Sequence, residues 1–158
     1  MRSTRESDVG NQVLIERPQT LPGVRTSTGT PRILLADDQE EMLRTIIMVL
    51  GDEFNIIGTA KNGEDVIQLA TRLSPDVVVL DICMPVLNGI KAACRLKELG
   101  SAARVIFLTV HTDSDFVEAA WSAGALGYVL KESLAADLTF AIRSVMQGNT
   151  FISRPIRQ

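Results

Sequence analysis

From Arg32 onward, short unbroken apolar runs alternate with longer stretches in which apolar residues recur every three or four positions. That alternation predicts a chain of repeating strands and helices. Ile33-Leu34-Leu35-Ala36 predicts a buried strand ending at Asp37, followed by a helix over about 39–50 with Met42, Leu43, Ile46, Ile47 and Leu50 on one face. A second strand is expected over 54–60. Asn62 can cap a helix that buries Val66, Leu69, Ala70 and Leu73. Residues 76–80 are β-branched and aliphatic without polar alternation, so they read as a central parallel strand covered on both faces and ending at Asp81. After the Met84-Pro85 and Asn88-Gly89 loop come a helix to about Leu99, a strand over 104–109, a helix over about 114–123, and a last strand over 127–130 that ends at Lys131. Ser133 is expected to cap the final helix and Gly148 to close it.

Five such units with right-handed crossovers define an α/β fold: a doubly wound five-stranded parallel sheet with helices on both faces and the flavodoxin-like order 2-1-3-4-5. The first and third strands then lie side by side at the switch point, where sheets of this kind bind ligands. Residues 1–31 are rich in Ser, Thr, Gly, Arg and Pro and show no period, which predicts a flexible N-terminal arm. The folded domain is expected over 32–153 and a short tail over 154–158.

At 158 residues, with 46% apolar and 22% charged, the chain matches one ordinary globular domain with a little to spare. The net charge of −3 is unevenly spread, since residues 1–32 hold five Arg against three acids and leave −5 on the remainder. An acidic folded part is poorly suited to nucleic acid, so no direct DNA binding is expected. Cys83 and Cys94 lack zinc-type spacing and a secretory context, which predicts reduced thiols and a cytoplasmic location. His111 is the only histidine, which excludes a multi-histidine metal site. The longest apolar run, Ile46 to Leu50, is too short to cross a membrane.

The chemistry sits at the strand ends. Asp37 with Asp38, Asp81, Thr109 and Lys131 each fall where a predicted strand stops, and the topology brings all such ends to one rim. Each has an ordinary reading in isolation: an acidic pair favourable at a helix start, a strand-end threonine, a solvated lysine. Their common register argues for a site. Three neighbouring carboxylates repel unless a cation is supplied, and Mg2+, which takes oxygen ligands and keeps waters, suits them. Asp38 and Asp81 are the best direct ligands, with Asp37 acting through a bound water. Asp81 is the candidate nucleophile toward a phosphoryl group. Lys131 supplies a point charge for one phosphoryl oxygen and Thr109 a hydroxyl for another.

The stretches ILLADDQEEM, VVVLDICMPVLNGI, VIFLTVHTD and GALGYVLKESLAADLTFAIRSVMQGNTFIS resemble the receiver domain of two-component response regulators, over about Arg32 to Ser153. The last third looks most like the NarL/FixJ subclass. The resemblance implies that Asp81 accepts a phosphoryl group from a sensor histidine kinase or histidine phosphotransfer protein. It further implies Mg2+ held by Asp37, Asp38, Asp81 and the backbone carbonyl of Cys83. Thr109 and Tyr128 would form a switch pair reporting to a downstream protein through the face of the fourth helix, fifth strand and fifth helix. Val110 and His111 would tune the rates of phosphorylation and hydrolysis. Two positions depart from the family pattern: Glu132 stands where many receivers have proline, and Val110 where Ala, Gly or Ser is usual.

The expected function is a single-domain response regulator, a phosphoacceptor rather than an enzyme beyond self-catalysed phosphorylation and dephosphorylation. The alternative is the receiver part of a transcription regulator without its helix-turn-helix output, acting through dimerisation with a full-length partner. Homodimerisation on phosphorylation stays open. A phosphotransfer enzyme of the haloacid-dehalogenase type would want an acid two residues after the nucleophile, where Cys83 stands. The complete set of five residues argues against a receiver that works without phosphorylation.

Overall fold

The computed structural model describes residues 29–154, so most of the arm expected over 1–31 and the tail residues 155–158 lie outside the described residues. The chain runs β1 (Arg32–Ala36), α1 (Glu40–Leu50), β2 (Asn55–Ala60), α2 (Gly63–Leu73), β3 (Val77–Leu80), α3 (Gly89–Glu98), β4 (Arg104–Thr109), α4 (Ser114–Ser122), β5 (Gly127–Leu130), a 3₁₀ turn (Lys131–Ser133), α5 (Leu134–Met146) and β6 (Phe151–Ile152). The strands form one sheet in the order β2-β1-β3-β4-β5-β6, and every adjacent pair is parallel. The expected order is therefore present with a sixth strand added. Two residues are too few to show any period, so β6 exists only through its pairing with β5.

Strand side chains alternate between two cores, as the pleat requires. Leu34, Ala36, Val78, Leu80, Val105, Phe107, Tyr128 and Leu130 pack under α2, α3 and α4. Ile33, Leu35, Val77, Val79, Ile106, Leu108 and Val129 pack under α1 and α5. Burial on both faces explains why β3 and the centre of β4 read as continuous apolar runs. Each buried Val, Leu or Ile contributes roughly 1.5–3 kcal/mol of transfer free energy, so the strands anchor the sheet from both sides.

Side-chain caps start α2 and α3, while α1, α4 and α5 begin without one. Asn62 accepts a hydrogen bond from the Asp65 amide (2.8 Å), and Asn88 does the same for Lys91 (2.9 Å). Gly148 takes a positive φ of 84° just past α5, where its N–H donates to the Val145 carbonyl. Ser133 does not cap α5 as expected, for its side chain makes no capping bond. The reason is the 3₁₀ turn that ends on it: Ser133 has φ −105° and ψ 12°, not the extended backbone that aims a cap oxygen at the first turn. Ile47 also departs from expectation. It lies on the flank of the α1 stripe, where Leu43, Ile46 and Leu50 are buried and Ile47 is exposed.

Two backbone clamps hold the loop between β3 and α3. Gly89 N–H donates to the Ile82 carbonyl (2.7 Å), and a Cβ on Gly89 would lie 2.0 Å from the Asp81 carbonyl oxygen. Gly63 N–H donates to the Leu87 carbonyl (2.9 Å), where a Cβ would lie 2.2 Å from that oxygen. Only glycine permits such approaches. Gly89→Ala is therefore expected to lower unfolding free energy by about 2 kcal/mol or more, because main chain must shift to admit the methyl group. Urea denaturation measures this, and a change within ~0.5 kcal/mol of wild type would contradict the clamp.

Candidate functional site

β1, β3 and β5 end side by side or one strand apart, and each delivers a charged residue to the same rim. Asp37 follows β1 directly and is buried, with its N–H bonded to the Ala60 carbonyl of β2 (3.0 Å). Asp81 follows β3, is 7% exposed, and is tied to β1 through its N–H and the Ala36 carbonyl (3.0 Å). Asp38 is exposed. Oxygen atoms of all three carboxylates lie within 4.8 Å of one another.

Lys131 extends from the end of β5, across the end of β4, into this cluster. Its ammonium donates to Asp37 Oδ2 at 2.8 Å and to Asp81 Oδ2 at 3.0 Å, with its side chain 12% exposed. The second oxygen of each acid is also occupied: Gln39 N–H donates to Asp37 Oδ1 (2.9 Å) and Ile82 N–H to Asp81 Oδ1 (2.7 Å). No described residue engages the Asp38 carboxylate. Burial alone would pull the lysine pKa down, but hydrogen bonds to Asp37 and Asp81 and their negative charge outweigh it and hold the pKa above its ordinary value.

A second layer joins β4 to β5. Thr109 is buried at the end of β4, and its Oγ1 accepts from the His111 N–H at 3.3 Å. Tyr128 is wholly buried and its hydroxyl donates to the His111 carbonyl at 2.8 Å. Burial raises the Tyr128 pKa to about 12, and the charges of Asp113 and Asp81 push in the same direction. The imidazole of His111 stacks on Phe116 with centroids 4.2 Å apart, and its Nε2 lies 3.1 Å from the exposed Cys83 Sγ. Val110 is 67% exposed.

The structure thus brings Asp37, Asp38, Asp81 and Lys131 together, and Thr109, Tyr128, His111 and Cys83 into a second connected set, with Val110 exposed. Missed from the sequence were the Cys83–His111 contact and the two glycine clamps. Asn-Gly occurs twice ahead of a helix, at 62–63 and 88–89, and that repetition was a readable signal for the clamps. The loop between them carries a further irregularity. Val86 has a φ of 70° inside a three-residue turn in which Leu87 N–H donates to the Pro85 carbonyl (2.7 Å). A β-branched residue there is strained, and Val86 tolerates it while 79% exposed.

In chemical terms the rim presents three hard anionic donors and one fixed cation. The donors fit a divalent cation that prefers oxygen, because they lie close together, carry more negative charge than Lys131 neutralises, and include an unengaged carboxylate at Asp38. No described helix is long and apolar enough to cross a membrane.

Fold and site together define a doubly wound sheet with an acidic cluster and one lysine at the ends of its strands. The family model for the response regulator receiver domain matches residues 33–143, and the chain belongs to that family. It is 36% identical over 124 residues to the uncharacterized transcriptional regulatory protein YvfU of Bacillus subtilis, covering 77% of this chain and 62% of that protein. It is 32% identical over 133 residues to the nitrate/nitrite response regulator NarL of Escherichia coli, covering 82% and 62% respectively. Among solved structures, a LuxR-family two-component response regulator from Aurantimonas superposes with a TM-score of 0.77 at 31% identity, over 81% of this chain and 93% of that one. A LuxR-family response regulator from Staphylococcus aureus gives 0.68 at 28% identity, over 73% and 98%. The chain spans about three-fifths of the length of these curated relatives.

Lys131 and Tyr128 make alkaline stability a direct readout of the site. Both hold their protons more tightly folded than unfolded, so their contribution is complete below the ordinary values of 10.5 and 10.0 and is lost as pH rises through the raised ones. Urea midpoints in a chelator-containing buffer should fall steadily from pH 10 towards about 12. Tyr128→Phe should flatten that fall, and a profile identical to wild type would refute the buried hydroxyl.

Proposed function

We propose that the chain is a phosphorylatable switch of two-component signalling in which Asp81 is the phosphoacceptor. The observation that carries this reading is the Lys131 ammonium, bonded to Asp81 and Asp37 beside a third carboxylate. An Asp81 oxygen attacks the phosphorus of a phosphohistidine on a kinase or phosphotransfer protein. The O–P bond forms as the N–P bond breaks, and the imidazole, already protonated on its other nitrogen, leaves as the neutral ring with the N–P electron pair. Lys131 then exchanges one carboxylate oxygen for a phosphoryl oxygen, and the Thr109 hydroxyl serves a second.

Asp37, Asp38, Asp81 and the Cys83 carbonyl are assigned to Mg2+, which when bound supplies positive charge to the phosphoryl oxygens. The Thr109 hydroxyl accepts the His111 N–H and keeps its own hydrogen to donate to a phosphoryl oxygen, and the His111 carbonyl holds Tyr128, so these two residues are assigned the switch. Val110 and His111 flank the route of an incoming donor and are assigned the tuning of rate. The receiver unit is assigned to residues 32–153, which begins with β1 and ends at the buried Ser153. The face of α4, β5 and α5 is assigned to a downstream protein and the location to the cytoplasm, where such kinases present their phosphohistidine.

A second reading is favoured by the matched relatives, several of which are transcriptional regulatory proteins. In that case the chain acts on transcription through dimerisation with a longer partner. A promoter fragment shifted by this chain only when such a partner is present supports it.

Incubation with acetyl phosphate and Mg2+ should add one phosphoryl group to the wild type by intact-mass measurement and none to Asp81→Asn. Equal labelling of both proteins sinks the assignment. Mg2+ at a hundred times its dissociation constant should stabilise the fold by about 2.7 kcal/mol, because it binds only the folded cluster. Asp38→Asn should remove most of that gain while stabilising the metal-free protein by relieving repulsion. A wild-type melting temperature indifferent to Mg2+ contradicts the site.

A further inference from the structure

Lys131 leaves the sheet at the point where the β5–β6 ladder runs out. Phe151 N–H donates to the Leu126 carbonyl and Ser153 N–H to the Tyr128 carbonyl, both at 2.9 Å. The pattern calls next for an acceptor facing the Leu130 N–H and a donor two residues after Ser153. Two residues after Ser153 the sequence has Pro155, which has no amide hydrogen. Among the described residues the last main-chain rung is that of Ser153 to Tyr128, two residues before Leu130.

The Ser153 side chain completes the missing rung. Its hydroxyl oxygen accepts from the Leu130 N–H at 3.1 Å, and its hydroxyl hydrogen goes to Asp137 Oδ2 on α5 at 2.7 Å. Ser153 is 1% exposed, so neither bond has water as an easy substitute. One small side chain thus joins three elements, β6, β5 and α5, at the residue preceding Lys131. The turn after Leu130 is a 3₁₀ turn with no proline to stiffen it, Glu132 standing where one would. Its starting point has to be held by something else.

We propose that Ser153 is a positioning residue for Lys131: through the Leu130 amide it fixes the end of β5 from which the ammonium reaches Asp81 and Asp37, and it ties the C-terminal strand to the phosphoacceptor site. The proposal rests on Asp81 being that phosphoacceptor. Linkage makes the tie reciprocal, so redirecting Lys131 to a phosphoryl group must alter the hold on Ser153.

The test uses four proteins of full length: wild type, Ser153→Ala, Lys131→Ala and the double variant. With acetyl phosphate at saturating Mg2+, Ser153→Ala should label roughly fivefold more slowly, as misplacement of a charged group by a fraction of an ångström would produce. The Mg2+ concentration for half-maximal rate should stay as in wild type, since Ser153 touches no carboxylate of the cluster. In the Lys131→Ala background the same change should cost less than about twofold, because the group it positions is gone. An equal factor in both backgrounds, or no slowing at all, overturns the proposal. Should the wild type take no label, the phosphoacceptor reading fails by itself, and urea stabilities of the same four proteins still decide the tie. Coupled effects of the two substitutions support it and additive effects overturn it. If Ser153→Ala does not fold, Asp137→Ala removes only the outer bond and should slow labelling about twofold, again only when Lys131 is present; an unchanged rate counts against the proposal.

Discussion

One ammonium group holds the rim together. Three carboxylates brought within 4.8 Å, two of them buried, would repel each other and resist ionisation without a cation among them. Lys131 supplies that cation permanently, yet it originates from β5, which is separated from β3 by β4. Only a long side chain spans that gap, and a compact charge at its end serves both carboxylates at once. Every other requirement of the site follows. β1 and β3 must be neighbours to bring Asp37 to Asp81, and the turn after β5 must deliver the lysine at a set height.

Beside that charge lies a second set of contacts centred on one residue. Thr109 and Tyr128 both bond to the main chain of His111, one to its N–H and the other to its carbonyl. The ring of the same histidine bridges Phe116 at the start of α4 and Cys83 on the loop after Asp81. His111 therefore joins the end of β4 to three other segments. The loop carrying Cys83 is in turn clamped by Gly63 and Gly89.

The fold was readable because most of its strands are short apolar runs set between longer helical patterns. Val77 to Leu80 buries every residue, as a central parallel strand covered on both faces does. The site was readable because a strand end is also a topological address, so that five scattered residues acquired a common location. What escaped reading depended on a partner in space. Ser133 has a capping residue's identity without the backbone angles for it, and those angles come from the turn before it. Ser153 has no local signal, since its two bonds reach 23 and 16 residues back along the chain. Ile47 belongs to the apolar stripe by spacing and to the surface by its place on the flank of that stripe, beside buried Leu43, Ile46 and Leu50.

The added strand has a consequence for how this molecule meets its own copies. An open sheet ends in rows of unpaired amides and carbonyls, which invite another strand to join. At one edge, β2 carries an extra residue between Ile56 and Gly58 where the register with β1 shifts, so its outer rungs are out of step with a straight strand. At the other, β6 is two residues long and precedes a side-chain bond and then a proline. Among the described residues neither border offers a long run of matched rungs, so both edges are poor templates for an added strand.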